Sequence, residues 1–335
     1  MTTALVLGKF LPPHAGHVHL VERARGMADE VMVLLLANSG EPIPVEVRHR
    51  WLEELFPWAT VRSAVVDHVI DYSDAAVYDF WAATIKEVTG RQSFDLLLTS
   101  EPAYGDMTAE RIGARHVLVD PDRAAVPLSA TMVRANPYAH WEQLSPGVRA
   151  WYAKRVLLTG AESTGTTTTA EALAELYQTV WVPEYGREYS IPKDARGETW
   201  TTAEFVHIAR RQQELEDEAA REANRILFCD TDALATAIWH EQYLGSRAPE
   251  VEAVARARTY DLILLTAADI PWVQDGDRNS DEVRQRMQRR FEAELALRPE
   301  PVVELRGPLA TRLATAIEAI DTHLGLQPPI ERGTL

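Results

Sequence analysis

The feature that most constrains the fold of this chain is a strand–turn–helix signal that occurs once in each half. Ala4-Leu5-Val6-Leu7 runs into GKFLPPHAGH (8–17), and Val156-Leu157-Leu158 runs into GAESTGTTTT (160–169). A short, unbroken apolar run is what a parallel strand buried on both faces demands. A glycine turn that opens a helix leaves backbone N–H groups unpaired and aimed at whatever binds there. At 335 residues the chain is also longer than a single core usually sustains. The expected architecture is therefore two α/β domains, an N-terminal Rossmann-like doubly wound sheet and a C-terminal sheet of the phosphate-loop kinase type.

The first block shows helical spacing from Gly16 to Met27, with Val18, Val21 and Ala24 on one face, then a second buried strand at Val31–Leu36. Further strands are expected at Thr60–Val66, Leu96–Thr99 and Val117–Val119, and the block closes near Trp141. The turn-rich Leu144-Ser145-Pro146-Gly147 begins a linker over 146–154, so the first domain covers 1–145. The second covers 155–325, with strands at Arg155–Leu158, Arg225–Cys229 and Leu262–Leu265 and a helix over Thr167–Tyr177; residues 326–335 read as an irregular tail.

Composition narrows the function classes. The formal net charge of −16 opposes a broad nucleic-acid-binding face but not a small phosphorylated ligand, which needs only a local positive field. One cysteine, Cys229, cannot close an internal disulfide and suits a reducing cytoplasm. No apolar stretch reaches the length of a membrane span, and no secretory signal is visible. Lysine occurs only at positions 9, 86, 154 and 193, which leaves arginine as the main source of positive charge.

In the first motif, Gly8-Lys9-Phe10 ends the strand and His14-Ala15-Gly16-His17 opens the helix. Two histidines three apart can converge on one anion at a helix N-terminus, and Gly16 lets a phosphate approach the backbone. The partner segment is Leu128-Ser129-Ala130-Thr131-Met132-Val133-Arg134. Its hydroxyls, Ser129 and Thr131, and the planar fork of Arg134 suit phosphate oxygens. Taken alone, each segment is equally compatible with a capped, solvated turn; their presence at the two ends of one block is the specific signal.

The second motif has the glycine spacing of G-x-x-x-x-G-K-[ST] with Thr166 where lysine belongs. Gly160, Glu162, Ser163, Thr164 and Gly165 keep the cradle, Thr167 keeps the hydroxyl that ligates Mg²⁺, and Thr168 follows. Downstream, Phe228-Cys229-Asp230-Thr231-Asp232 ends a strand in two carboxylates, and Glu184-Tyr185-Gly186-Arg187-Glu188 gathers acid, aromatic and base as a ribose and ring would require. Trp272 and Arg278 lie in PWVQDGDR, ahead of a helix rich in arginine. Arg278, Arg284 and Arg286 are the expected donors of the charge that Thr166 cannot supply, in the manner of an arginine lid.

Together these segments resemble the bifunctional nicotinamide-mononucleotide adenylyltransferase and ribosylnicotinamide kinase of bacterial NAD salvage, the NadR type, from Leu7 to about Ile320. The resemblance rests on GKFLPPHAGH, TSEP (99–102), LVDPDR (118–123), SATMVRANPYAHWE (129–142), VRAWYAKRV (148–156), GAESTG (160–165), EYGRE (184–188), FCDTD (228–232) and PWVQDG (271–276). It implies a first domain that joins nicotinamide mononucleotide to ATP and a second that phosphorylates nicotinamide riboside. It further implies His14, His17, Lys9 and Arg134 on the ATP phosphates with Gly8, Phe10, Gly16, Ser129 and Thr131 around them. In the kinase it implies Mg²⁺ on Thr167 and Asp230, and a carboxylate base that is either Glu184 or Asp232. Two other classes remain open: an adenylyltransferase with a regulatory, nucleotide-binding second domain, and a transferase for another phosphorylated acceptor. A homo-oligomer is compatible with the sequence. Some members of the family carry an N-terminal helix-turn-helix module, for which no room is expected ahead of the first strand.

With this charge, no salt-sensitive, sequence-specific DNA binding is expected in a gel-shift assay at low salt. A retarded complex that discriminates between sequences would contradict the expectation.

Overall fold

The computed structural model describes residues 1–67, 73–271 and 281–329. It divides into two compact units, Met1–Val148 and Arg149–Leu335. The 146–154 segment expected as a linker is a helix over Pro146–Tyr152 followed by the first residue of a strand.

In the first unit the strands are β1 (Thr3–Gly8), β2 (Glu30–Ala37), β3 (Thr60–Val65), β4 (Leu96–Thr99) and β5 (Arg115–Leu118). They alternate with α1 (Ala15–Arg25), α2 (Val45–Leu55), α3 (Ala75–Thr89) and α4 (Pro102–Ile112), and end in α5 (Ala130–Ala135), a 3₁₀ segment (Pro137–Gln143) and α6 (Pro146–Tyr152). Every neighbouring pair is parallel, in the order β3-β2-β1-β4-β5. Successive side chains of a strand point to opposite faces. Ala4, Val6, Val31, Val33 and Leu35 therefore pack with α1 residues Leu20, Val21 and Ala24. On the other face, Leu5, Met32 and Leu34 pack with Ala82, Ile85, Ala109 and Ile112 of α3 and α4. Burial on both faces is why these strands read as continuous apolar runs.

The second unit contains β6 (Lys154–Thr159), α7 (Thr166–Tyr177), β7 (Trp181–Val182), α8 (Tyr185–Ala195), α9 (Thr202–Ala220) and β8 (Ile226–Asp230). After these come α10 (Ala233–Leu244), α11 (Pro249–Arg256), β9 (Leu262–Thr266), α12 (Asp281–Leu295), β10 (Val302–Leu305) and α13 (Leu309–Leu324). The sheet is parallel in the order β10-β9-β6-β8-β7. In each unit the strand that enters the glycine turn is central, and the turn opens at its carboxyl end, where open α/β sheets bind ligands. Strands β7 and β10 were not expected from the sequence. The first has two residues, and Glu304 interrupts the apolar run of the second. Among the described residues no helix is long and apolar enough to cross a membrane.

One glycine in the first unit is fixed by packing rather than by a turn. A Cβ on Gly105 of α4 would lie 2.0 Å from Nε2 and 2.1 Å from Cε1 of His116. That ring cannot swing aside easily, because Nδ1 pairs with Asp106 at 2.7 Å and Nε2 with Thr99 at 2.8 Å. Gly105→Ala is expected to destabilise the first unit by about 1–3 kcal/mol, the usual cost of overpacking. A urea melt with an unchanged midpoint would contradict this.

Candidate active sites

The first site is built where β1 gives way to α1. His14 is the N-cap of α1, and its Nδ1 accepts the Gly16 N–H at 3.0 Å. A neutral ring that accepts through Nδ1 carries its proton on Nε2 and is a donor there. His17 lies one turn on, its ring centroid 4.0 Å from that of His14 and 4.8 Å from that of Phe10. The His17 Nδ1 is buried without a hydrogen-bond partner. Burial, reinforced by the Arg123 guanidinium, pushes His14 down to about 4. The same desolvation, with the charges of His14 and Arg123, holds His17 well below the usual histidine range. At neutral pH the pair is therefore uncharged and offers hydrogen bonds, not positive charge.

The glycines and the aromatic of this motif have steric reasons. A Cβ on Gly16 would stand 2.9 Å from the His14 ring, and one on Gly8 would stand 3.2 Å from the buried Phe10 ring. At the other end of the block, Ser129 caps α5, its Oγ accepting the Met132 N–H at 3.2 Å. Arg134 donates Nη1–H to the Leu11 carbonyl and Nη2–H to Thr131 Oγ1 at 3.3 Å, so α5 is tied directly to the 8–17 loop. The two expected halves of the site are thus brought together.

Lys9 departs from expectation. Its ammonium pairs with Glu41 at 2.9 Å, and the buried Arg48 holds the other Glu41 oxygen at 2.8 Å while donating to the Lys9 carbonyl at 2.8 Å. Lys9 is therefore neutralised by a carboxylate that the sequence did not point to. The cation that acts on both histidines is Arg123, from LVDPDR, which pairs with Glu101 of TSEP at 3.1 Å.

The second site forms where β6 gives way to α7. Gly160 (φ +157) has no room for a side chain, since a Cβ would meet Thr266 Oγ1 at 2.6 Å and the Thr266 carbonyl at 2.8 Å. Gly165 caps α7 in the left-handed region (φ 87), and Ser163 also has positive φ. Thr164 is buried and its hydroxyl bonds the Ala161 carbonyl and Thr266 Oγ1, each at 2.7 Å. Gln288 of α12 accepts the Ala161 N–H at 3.1 Å. Thr168 is exposed, one residue beyond the part of α7 that faces the site.

Four expected residues converge on this loop. Thr167 Oγ1 donates to Asp230 Oδ2 at 2.5 Å, and Thr166 stands beside the same carboxylate. Glu184, at the start of α8, is driven up to about 7 by desolvation and then by the Asp230 and Glu162 charges, against the pull of Arg187. Burial likewise raises Asp230, which keeps Oδ1 buried and unpaired. Tyr185 turns elsewhere, its hydroxyl 3.3 Å from His207 Nε2. It lines a cleft of about 280 Å³ with Glu188, Tyr189, Lys193 and Glu204.

Asp232 does not belong to this group. It is the buried N-cap of α10, accepting the Ala235 N–H at 3.0 Å, and its other oxygen pairs with Arg298 at 3.2 Å. Each of its oxygens thus has a structural partner, a helix cap on one and an ion pair on the other. Arg284 and Arg286, the other expected donors, each have protein partners of their own. Arg284 is buried, donating to the Ala268 and Ile270 carbonyls at 2.9 Å each, and Arg286 donates to Gln242 at 3.0 Å. Trp272 and Arg278 lie outside the described residues. Arg312, which the sequence did not point to, is buried against the loop and donates to the Thr164 carbonyl.

The fold and the two cradles define a protein built from a nucleotidyltransferase-type unit and a phosphate-loop unit. Comparison agrees: the cytidylyltransferase-like family model matches residues 5–136, and the AAA domain model matches residues 155–312. The trifunctional NAD biosynthesis/regulator protein NadR of Escherichia coli (strain K12) is 30% identical over 298 residues, covering 83% of this chain and 72% of its own. NadR of Salmonella typhimurium (strain LT2) is 30% identical over 295 residues, covering 82% and 71%. The crystal structure of a NadR protein in complex with NR superposes with a TM-score of 0.80 at 24% identity, over 100% of this chain and 98% of that one. A NadR complex with NAD and AMP-PNP gives 0.78 at 24% identity over the same shares. The chain belongs to the NadR family.

The histidine pair generates a pH prediction. Its pKa values lie below the ordinary 6.5, so the unfolded chain binds more protons between about 4 and 6.5, and stability falls as pH drops through that window. His14→Asn keeps a capping acceptor but removes one such group. On acidification from pH 7.5 to 4.5 the wild type should lose stability relative to this variant in urea melts. A pH-independent difference would contradict the assignment.

Proposed function

We propose that the chain is a two-activity enzyme of NAD biosynthesis, which transfers AMP from ATP to nicotinamide mononucleotide and phosphorylates nicotinamide riboside with ATP. The observation that carries the reading is that one chain holds two separate anion cradles of different chemistry. Neutral imidazoles face the first, and carboxylates and hydroxyls face the second. The acceptors come from the relatives, whose structures are described with NR and with NAD and AMP-PNP.

In the first reaction an oxygen of the mononucleotide 5′-phosphate attacks the α-phosphorus of ATP, and pyrophosphate leaves. The nucleophile is already an anion, so the site needs alignment and charge stabilisation more than a base. His14, through Nε2–H, and His17 donate hydrogen bonds as negative charge grows on the α-phosphate. The α1 N-terminus adds its dipole, and Arg134 and Arg123 supply the positive field that the neutral histidines lack.

In the second reaction the riboside 5′-hydroxyl attacks the γ-phosphorus and ADP leaves. Glu184 takes the hydroxyl proton, since a carboxylate held near neutrality is a better acceptor than one at the ordinary value. Asp230 fits a Mg²⁺ ligand: Oδ2 is fixed by Thr167, and Oδ1 is buried with no partner. Thr167 and Asp230 would hold Mg²⁺ together with the nucleotide phosphates, and the ion would screen the charge between β- and γ-phosphates. Without the lysine the site keeps its backbone cradle but lacks a mobile charge on the transferring group. The cost falls on the transition state more than on ATP affinity.

Two half-reaction assays test the proposal. His17→Ala should lower kcat/KM for dinucleotide formation by roughly a hundredfold while leaving riboside-dependent ADP release intact. Glu184→Gln should do the reverse, lowering kcat for ADP release by about 10²–10⁴-fold. Thr166→Lys should raise that kcat above wild type. Dinucleotide formation without any riboside-dependent ADP release would leave only the first activity, with the second unit a nucleotide-binding regulator.

A further inference from the structure

The lysine-less loop must still be held open, with its N–H groups turned toward a phosphate, and one side chain from the far end of the chain does this. Arg312 is the first-turn arginine of α13, 2% exposed. Its Nη1 donates to the Thr164 carbonyl and its Nη2 to the Ala267 carbonyl at 2.9 Å, while Nε donates to the Gly307 carbonyl at 2.8 Å. Asp269 completes the set at 2.6 Å from Nη2. The guanidinium thus bridges three backbone segments: the glycine loop, the end of β9 and the turn ahead of α13.

The position of Nη1 has a stereochemical consequence. In a planar trans peptide the C=O and the following N–H point in opposite directions. Anchoring the Thr164 carbonyl on Arg312 therefore turns the Gly165 N–H away from α13, into the cradle at the N-terminus of α7. The same guanidinium stands 3.5 Å from where a Gly165 Cβ would be, so the cation lies directly behind the helix cap. Gln288 and Thr266 hold the other end of the loop, at Ala161 and Thr164, but neither carries charge.

We propose that Arg312 is the positioning residue of the second site, fixing the Thr164–Gly165 peptide for phosphate binding in a loop that has lost its lysine. The proposal rests on the nucleotide-binding reading of that site. It assigns the work to the fork of the guanidinium, which reaches several acceptors at once as an ammonium cannot.

The test uses the full chain with NAD at saturation to fill the first site. It measures AMP-PNP–Mg²⁺ binding by calorimetry beside riboside-dependent ADP release. Arg312→Gln should weaken AMP-PNP binding roughly tenfold, the effect expected for losing a charge-assisted hydrogen bond. Arg312→Lys should fall between Gln and wild type. Adding Thr166→Lys to Arg312→Gln should recover part of the loss, a rescue that a general folding defect does not allow. A folded Arg312→Gln chain with wild-type affinity, or a loss that Thr166→Lys leaves untouched, overturns the proposal. Should the glutamine variant lose its cooperative melt, the lysine variant decides, and wild-type affinity there overturns the role of the fork. Absence of ADP release from wild type, combined with Arg312-dependent AMP-PNP binding, sinks the kinase reading and leaves the positioning role standing.

Discussion

Both candidate sites depend on the same constraint, a glycine-bearing turn and a helix N-terminus set at the carboxyl end of a central, largely buried parallel strand. Strands β1 and β6 each have a hydrogen-bonded neighbour on either side. Their carboxyl ends are therefore fixed in space, and the turn that follows can be shaped by close contact rather than by length. Gly16 fits against the His14 ring, and Gly160 against Thr266. In each case a methyl group would displace a polar atom that holds the turn. The sheet supplies rigidity, the glycine supplies approach, and the first turn of the helix supplies donors.

The two cradles solve the charge problem differently. In the first, desolvation keeps the histidines neutral, and cations are distributed around them: Arg123 on Glu101, Lys9 on Glu41, and Arg134 on a carbonyl. In the second, carboxylates outnumber nearby cations. Glu184 rises toward 7 because Asp230 and Glu162 crowd it and Arg187 offsets them only in part. Such a site is poised to gain from any cation that arrives with the substrate.

Much of this was legible in the sequence. The apolar runs gave the central strands because burial on both faces leaves no alternation to interpret, and the glycine spacings located both cradles. What escaped has a common cause. Arg48, Gln288 and Arg312 are buried polar residues inside otherwise apolar helix faces: Arg48 beside Trp51 and Leu52, Gln288 between Met287 and Phe291, Arg312 ahead of Ala316 and Ile320. Helical spacing marks these positions as core, and charged or amide side chains are rarely fully buried unless paired. A polar residue in an apolar stripe was the available signal. Its partners, however, are carbonyls, N–H groups and carboxylates of distant loops, which no local pattern names. Asp232 was misjudged for the opposite reason. It stands two residues from Asp230, but the backbone turns at Thr231 (φ 76) and sends the second carboxylate to cap α10.

The substitution of Thr166 then has a local logic. A lysine at this position would stand beside Asp230, whose carboxylate the neighbouring Thr167 hydroxyl bonds. Thr167 satisfies Asp230 Oδ2 without adding charge, while Oδ1 keeps no partner. Loop geometry, which a lysine would otherwise help hold, passes to Arg312 from behind and to Gln288 and Thr266 from the side. The Arg312 and Gln288 contacts are made to backbone groups within a packed interior, where a hydrogen bond is not diluted by water. The loop keeps its shape with no lysine in the cleft. What it gives up is a cation that can follow the γ-phosphate as charge builds there, a loss that the transition state registers more than the bound ground state does.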